Sequence, residues 1–430
     1  MNAITSLTGR RVWDSRGRPT VEVEVHSGPH TGRAIAPAGA STGSAEAVER
    51  RDGGSAFGGR DVRQAVANVD RLIAPALVGL CVDDQQAIDA AIEALDPSPS
   101  LATVGANAAV AASLACLHAA AATRGEPLWQ SLRGSDDGDV VIPLPEIQIF
   151  GGGAHAGRRI DIQDLMVMAP GAASFAEALD WTAEIYRAAG AGRTGSAGVA
   201  DEGGWWPDFA ANEDAIETLA AAVGAAGFVL GRDVVLSLDI AASEFWHDGR
   251  YRLALEDRDI STDEMIELVS RWCRDYSIAS VEDPLGEHDV DGMRAFTAAM
   301  GDRVQVIGDD LYVTNAARVA DLADAATAVL VKVNQAGTVT RTRAALDAAR
   351  ANGLGAVVSA RSGESEDVSI VHLAVGWGAA QFKVGSITRG ERTAKWNEML
   401  RVEESLGRRA RFAGWQPLHR PATTSVGGPS

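Results

Sequence analysis

Three apolar runs in the second half of the chain end in carboxylates, and two later ones end in lysine. The acidic endings are Leu236-Ser237-Leu238-Asp239, Ser280-Val281-Glu282-Asp283-Pro284 and Val306-Ile307-Gly308-Asp309-Asp310; the basic ones are Val331-Lys332-Val333 and Phe382-Lys383-Val384. Helical patterns lie between them. One begins with a capping box from Ser261 to Glu264 and sets Met265, Val269 and Trp272 on one face. Repeated strand and helix over this length predicts a parallel α/β structure. A closed barrel fits better than an open sheet, because no Gly-x-Gly-x-x-Gly turn follows an early strand.

In a barrel the carboxyl ends of the strands share one rim, so Asp239, Glu282 and Asp309 are expected to converge there. Three carboxylates in one pocket do not all stay ionised without a cation, and hard oxygen ligands in that number suit Mg2+. A lysine directly after a buried strand, near a metal and a second lysine, is expected to have its ammonium form disfavoured and to act as a base. After the run Leu354 to Val358 comes Ser359-Ala360-Arg361-Ser362-Gly363. Its guanidinium fork, hydroxyl and backbone amides suit a phosphate or carboxylate, although such turns are also common on solvated surfaces.

The first part of the chain reads differently. Residues 19 to 26 alternate apolar and polar, as in a strand with one wet face. Residues 36 to 43, Ala-Pro-Ala-Gly-Ala-Ser-Thr-Gly, form a small flexible segment, either a surface loop or a lid that reaches a site. From about Arg63 to Gly125 the spacing is helical and rich in alanine, which suits close packing. The polar stretch Arg133 to Asp139 marks a boundary. The expected domains are an N-terminal α+β cap (1–138), a barrel (139–416) and a flexible tail (417–430).

With 39 basic and 58 acidic residues the net charge is −19, which disfavours nucleic acid or an anionic membrane as partner. An anion-binding site must therefore concentrate its positive charge in one place. Cys81, Cys116 and Cys273 are scattered among apolar neighbours and read as buried thiols in a reducing compartment. No signal-type segment opens the chain and no apolar run is expected to span a bilayer, so a cytoplasmic protein is expected.

Taken together, the motifs closely resemble those of enolase, nearly end to end. They are Asp14-Ser15-Arg16-Gly17-Arg18-Pro19-Thr20, Gly39-Ala40-Ser41-Thr42-Gly43, His155-Ala156-Gly157, Asp201-Glu202-Gly203-Gly204, Ser237-Leu238-Asp239, Val281-Glu282-Asp283-Pro284, Gly308-Asp309-Asp310-Leu311, Leu330 to Gln335, Arg361-Ser362-Gly363 and Gln381-Phe382-Lys383. The resemblance implies an enolase-type barrel (a modified TIM barrel) behind an N-terminal α+β cap, assembled as a homodimer or a ring of dimers. It implies Mg2+ on Asp239, Glu282 and Asp309, a second Mg2+ reached by Ser41, Lys332 as the base and Glu202 as the group that helps the leaving group depart. Lys383 and Gln163 are then expected at the substrate, with Arg361, Ser362 and His155 around its phosphate.

Four positions depart from the family pattern. Ala360 stands where the phosphate loop carries histidine, Asp164 where a glutamate follows the glutamine, Trp205-Trp206 where small residues follow Glu202, and Gly151 where an asparagine opens the glycine loop. Losing an imidazole and retracting a carboxylate weaken the leaving-group side, while the base and metal side is complete. The expected function is thus a specialised paralogue acting on 2-phosphoglycerate or a close phosphorylated or phosphonylated carboxylic acid, in the manner of phosphonate biosynthesis. Trp205 and Trp206 would either stack on a larger, nucleotide-activated co-substrate or pack beneath their loop. An ordinary enolase and a non-catalytic enolase-like binding protein are the alternatives.

Overall fold

The computed structural model describes residues 2–40, 43–96, 98–191 and 198–419. An antiparallel meander opens the chain: β1 (Ser6–Trp13), β2 (Pro19–Ser27) and β3 (His30–Ile35). The alternation in β2 puts Val21, Val23 and Val25 in the core. They pack against the helix Ala106–Arg124, which is buried on nearly every face. Alanine makes that possible, because the backbone of β3 presses on it: a Cβ at Gly32 would lie 2.1 Å from the Ala115 carbonyl oxygen. By length and composition this helix could cross a membrane, contrary to the expectation that no such run exists. Most of it lies inside the fold, as expected of a core helix.

After β4 (Val140–Ile142) come β5 (Leu144–Gly151), β6 (Asp164–Met168) and β7 (Val235–Asp239). A small sheet of β8 (Trp246–His247), β9 (Arg250–Leu253) and β10 (Arg258–Ser261) precedes β11 (Ile278–Glu282), β12 (Gln305–Gly308), β13 (Ala328–Val331), β14 (Gly355–Ser359) and β15 (Gln381–Ser386). Eight of these strands close a barrel in the order β11-β12-β13-β14-β15-β5-β6-β7. β16 (Ala410–Phe412) pairs with β4 outside it.

The barrel corrects the expectation of a wholly parallel sheet: β6 runs antiparallel to both β5 and β7. Only a short 3-10 turn, Gly153–Ala156, lies between β5 and β6, so the chain has no crossover helix and can only turn back. This reversal has a functional result. The first residue of β6, not its last, lies at the rim where the other strands end, which brings Asp164 level with Asp239.

The capping box forms as read. The Ser261 hydroxyl accepts from the Glu264 amide and the Glu264 carboxylate accepts from the Ser261 amide, with Met265, Val269 and Trp272 buried below. Packing continues past residue 417, where the tail was expected to begin: Leu418 is buried and Gln305 donates to the Pro417 carbonyl. Residues 420–430 of that tail lie outside the described residues. All three cysteines are free; Cys116 and Cys273 are buried, whereas Cys81 is partly open.

Candidate active site

Asp164, Asp239 and Glu282 are register partners across β6, β7 and β11, so they form one row at the rim. Asp309 follows β12 and Lys332 follows β13, while Lys383 projects from β15. The structure therefore brings together six residues drawn from six strands. Lys383 Nζ donates to Asp239 Oδ2 at 2.6 Å and to Glu282 Oε2 at 2.7 Å, with Asp164 Oδ2 at 3.6 Å. Lys332 Nζ is bonded to Asp309 Oδ2. Gln163 donates to Asp239 at 3.0 Å and Gln335 to Asp309 at 2.8 Å.

Asp164, Asp239, Glu282, Asp309 and Lys383 are buried and the Lys332 side chain is 12% exposed, so their charges act on one another with little solvent screening. Burial, then the charge of Asp239, pushes the Glu282 carboxyl well above the usual carboxylate range. Burial opposes the ammonium of Lys383, but Asp239 and Glu282 outweigh it and hold the lysine well above its ordinary value. Burial likewise opposes the Lys332 ammonium, and Asp309 overcomes it. Lys332 is thus held as the counter-charge of Asp309, whereas the expectation of a disfavoured ammonium form concerns the site with a metal beside it.

The residues present fit a divalent cation. The donor set of Asp239, Glu282 and Asp309 is all oxygen, and Glu282 Oε1 is buried with no hydrogen-bond partner, an open lone pair facing a carboxylate-rich site. Two lysines already occupy the place of a cation. A second acidic trio, Asp283, Asp309 and Asp310, also draws together. There Asp283 is committed to the backbone amides of Asp309 and Asp310, at 2.9 and 2.8 Å, and so reads as a brace for the strand end.

Beside this cluster stands the anion loop. Arg361 donates to Glu46 Oε2 at 2.9 Å and to Asn334 at 3.1 Å, while the Ser362 hydroxyl accepts from the Ala40 amide at 2.8 Å and from Arg16 at 3.3 Å. Arg392, wholly buried, donates to the carbonyls of Arg361 and Val384, and to that of Ser362 at 2.5 Å. Glu46 and Arg392 were not singled out from the sequence, since each acts through a partner dozens to hundreds of residues away, and Gln335 lay inside a quoted motif without an assigned role. Arg16 lay inside a quoted motif but carried no assigned role.

A narrow pocket opens between these groups, lined by Gly39, Ala40, Gln163, Asp164, Glu202, Asp239, Lys332, Ser359, Ala360, Arg361, Ser362, Lys383 and Val384. Ala360 presents only a methyl to it, between Ser359 and Arg361. Asp164 is held by Gln148, whose carbonyl also accepts from the Gly204 amide at 2.7 Å, coupling the shortened acid to the loop that carries Glu202. Gly151 borders the same region: a Cβ there would lie 2.5 Å from that of Ala200, so no larger residue fits without movement. Ser41 lies outside the described residues, as does the side chain of His155.

Neither tryptophan lines the pocket. Trp205 stacks on Tyr186 at 4.8 Å and donates through Nε1 to the Tyr186 carbonyl at 3.0 Å. Trp206 lies against the Arg159 guanidinium at 4.5 Å. Of the two readings of these rings, the geometry is that of packing around their own loop, where Trp205 gains a stacked partner in Tyr186 and a satisfied indole N–H.

Comparison with protein families matches the chain to two models. Residues 4–132 match the enolase N-terminal domain and residues 139–420 the enolase C-terminal TIM barrel domain.

Proposed function

Because the chain belongs to the enolase family, we propose that it is a Mg2+-dependent enzyme that takes the proton α to the carboxylate of 2-phosphoglycerate or a close analogue. The observation that carries this reading is the buried cluster of Asp239, Glu282, Asp309, Lys332 and Lys383 at one rim. Mg2+, when bound, would be held by Asp239, Glu282 and Asp309 and would supply charge neutralisation for the substrate carboxylate and the enolate formed from it.

Lys332 removes the proton as a neutral amine, and the C–H electron pair moves toward the carboxylate. The pair then returns to expel the group on the neighbouring carbon, with Glu202 giving that group a proton. Lys383 holds the substrate carboxylate, and Arg361, Ser362 and His155 its phosphate. A second Mg2+ reached by Ser41 and a homo-oligomeric, cytoplasmic enzyme complete the reading.

The finer proposal is a specialised paralogue, with carboxyphosphonoenolpyruvate synthase of phosphinothricin-type phosphonate biosynthesis as the nearest counterpart. Its support is the bare methyl at Ala360 and the short Asp164, which together weaken the expulsion of hydroxide while leaving space beside the phosphate loop. A coupled assay of phosphoenolpyruvate formation from 2-phosphoglycerate tests it. Turnover below about 0.1 per second, rising when a phosphonylated analogue is supplied, is expected; a value of about 10 per second or more, typical of ordinary enzymes, would return the protein to glycolytic chemistry.

A further inference from the structure

One buried acid in the barrel has no part in the chemistry above. Glu146 is fully buried on β5, and its Cα is the register partner of Lys383 on β15. Neighbouring residues in register point to the same side of a sheet, so Glu146 shares the barrel interior with the lysine. Ser237, two residues before Asp239, donates through Oγ to Glu146 Oε1 across the width of β6. Glu146 Oε2 is buried and has no hydrogen-bond partner.

An unpaired buried oxygen is costly to keep, and an apolar residue at this position would avoid that cost. Its surroundings show what would use it. Burial is the largest influence on the Glu146 carboxyl and raises it, and the next is the Lys383 ammonium, which acts in the opposite sense; Asp239 and Asp164 act with burial. Lys383 in turn spends its donors on Asp239 Oδ2 and Glu282 Oε2, two carboxylates that a divalent cation would also claim. An ammonium giving up those oxygens needs other acceptors: Asp164 Oδ2 at 3.6 Å is one, but Gln148 already holds that carboxylate, and Glu146 Oε2 on the register-paired strand is the unclaimed one.

We propose that Glu146 is a positioning residue for Lys383: its free Oε2 receives the lysine ammonium when a divalent cation takes Asp239 and Glu282, and Ser237 fixes the carboxyl for that contact. The proposal deepens the function given above and rests on its metal site. It makes Glu146 act through the lysine, without touching substrate.

The test is a calorimetric titration of Mg2+ into the full chain without substrate, for wild type, Glu146→Gln, Glu146→Leu and Ser237→Ala, alongside thermal midpoints in EDTA. Loss of a residue that supports a metal site from behind weakens metal binding about 10- to 100-fold. We expect about a tenfold weaker Mg2+ dissociation constant in Glu146→Leu, smaller losses in Glu146→Gln and Ser237→Ala, and a metal-free midpoint equal to or above that of wild type. Dissociation constants within twofold of wild type in both Glu146 variants would overturn the proposal, as would a fall in the metal-free midpoint that tracks the loss of binding. If Glu146→Leu does not fold, the glutamine and Ser237→Ala variants decide the matter. No substrate is present, so normal Mg2+ effects together with absent enolate chemistry would count against the proposed function and not against Glu146.

Discussion

Two walls of one pocket are built on different principles. On the wall of Asp239, Glu282, Asp309, Lys332 and Lys383, buried charges answer one another at hydrogen-bonding distance. On the other wall, at the end of β14, Ala360 contributes only an apolar methyl, with Ser359, Arg361 and Ser362 beside it. A charge lattice in a low-dielectric interior tolerates almost no substitution, because removing one partner strands the other. A methyl such as that of Ala360 can change at little cost. In the proposed reaction, proton abstraction is therefore fixed by the first wall, while the second is where substrate choice can drift.

The largest expected effect comes from breaking the charged wall. Lys332→Ala should lower turnover by at least about 10³-fold, within the range for loss of a general base, while substrate binding changes far less. Single-turnover rates and substrate affinity, measured separately, check this. A parallel loss on chelation, restored by Mg2+, is expected of the same wall.

Rebuilding the second wall should have a smaller effect in the opposite direction. Ala360→His combined with Asp164→Glu should raise dehydration of 2-phosphoglycerate by about tenfold or more, since misplacement of catalytic groups by about 1 Å can cost on the order of a hundredfold. No gain in the coupled assay would mean that the wall does not set the substrate.

A group outside both walls serves as a control on stability. Burial, followed by the nearby His118, holds His372 down to about 4, with Glu398 and Asp367 acting against them. Since the unfolded histidine takes a proton near 6.5, acid favours the unfolded chain. Stability is intact above that value and falls as the pH drops from about 6.5 to 4, by about 2 kcal/mol at pH 5. Urea titrations at pH 7 and 5 should show a drop that His372→Leu reduces, the remainder belonging to the neighbouring His118, which burial also holds down, with activity at pH 7 unchanged.

The smallest expected change belongs to Trp206→Ala. Loss of its contact with Arg159 should cost about 1 kcal/mol and leave KM within twofold. A larger rise in KM for any phosphonylated or nucleotide-activated substrate would restore the tryptophan to the binding site.

How much of this was legible follows from how each residue acts. Asp239 and Glu282 end their strands and Asp309 and Lys332 follow theirs directly, so local pattern and barrel geometry suffice to gather them; Lys383, expected to end its strand, lies inside β15 but points to the same rim. Asp164 reaches the same row only because β6 runs backwards, and β5 and β6 are so thoroughly buried that their pattern gave no alternation to read. Glu46 and Arg392 support the anion loop from 315 and 31 residues away, contacts that no local period announces. The charge state of Lys332 is hidden for a similar reason: it depends on which charges stand beside Asp309, and sequence shows only that the two are near.

The most direct test of the central claim is exchange of the α-proton of 2-phosphoglycerate with D2O, followed by NMR in the presence of Mg2+. The account predicts deuterium incorporation that is abolished in Lys332→Ala and persists even where phosphoenolpyruvate forms slowly. Absence of exchange in the wild-type protein, with Mg2+ and substrate both shown to be bound, would contradict it.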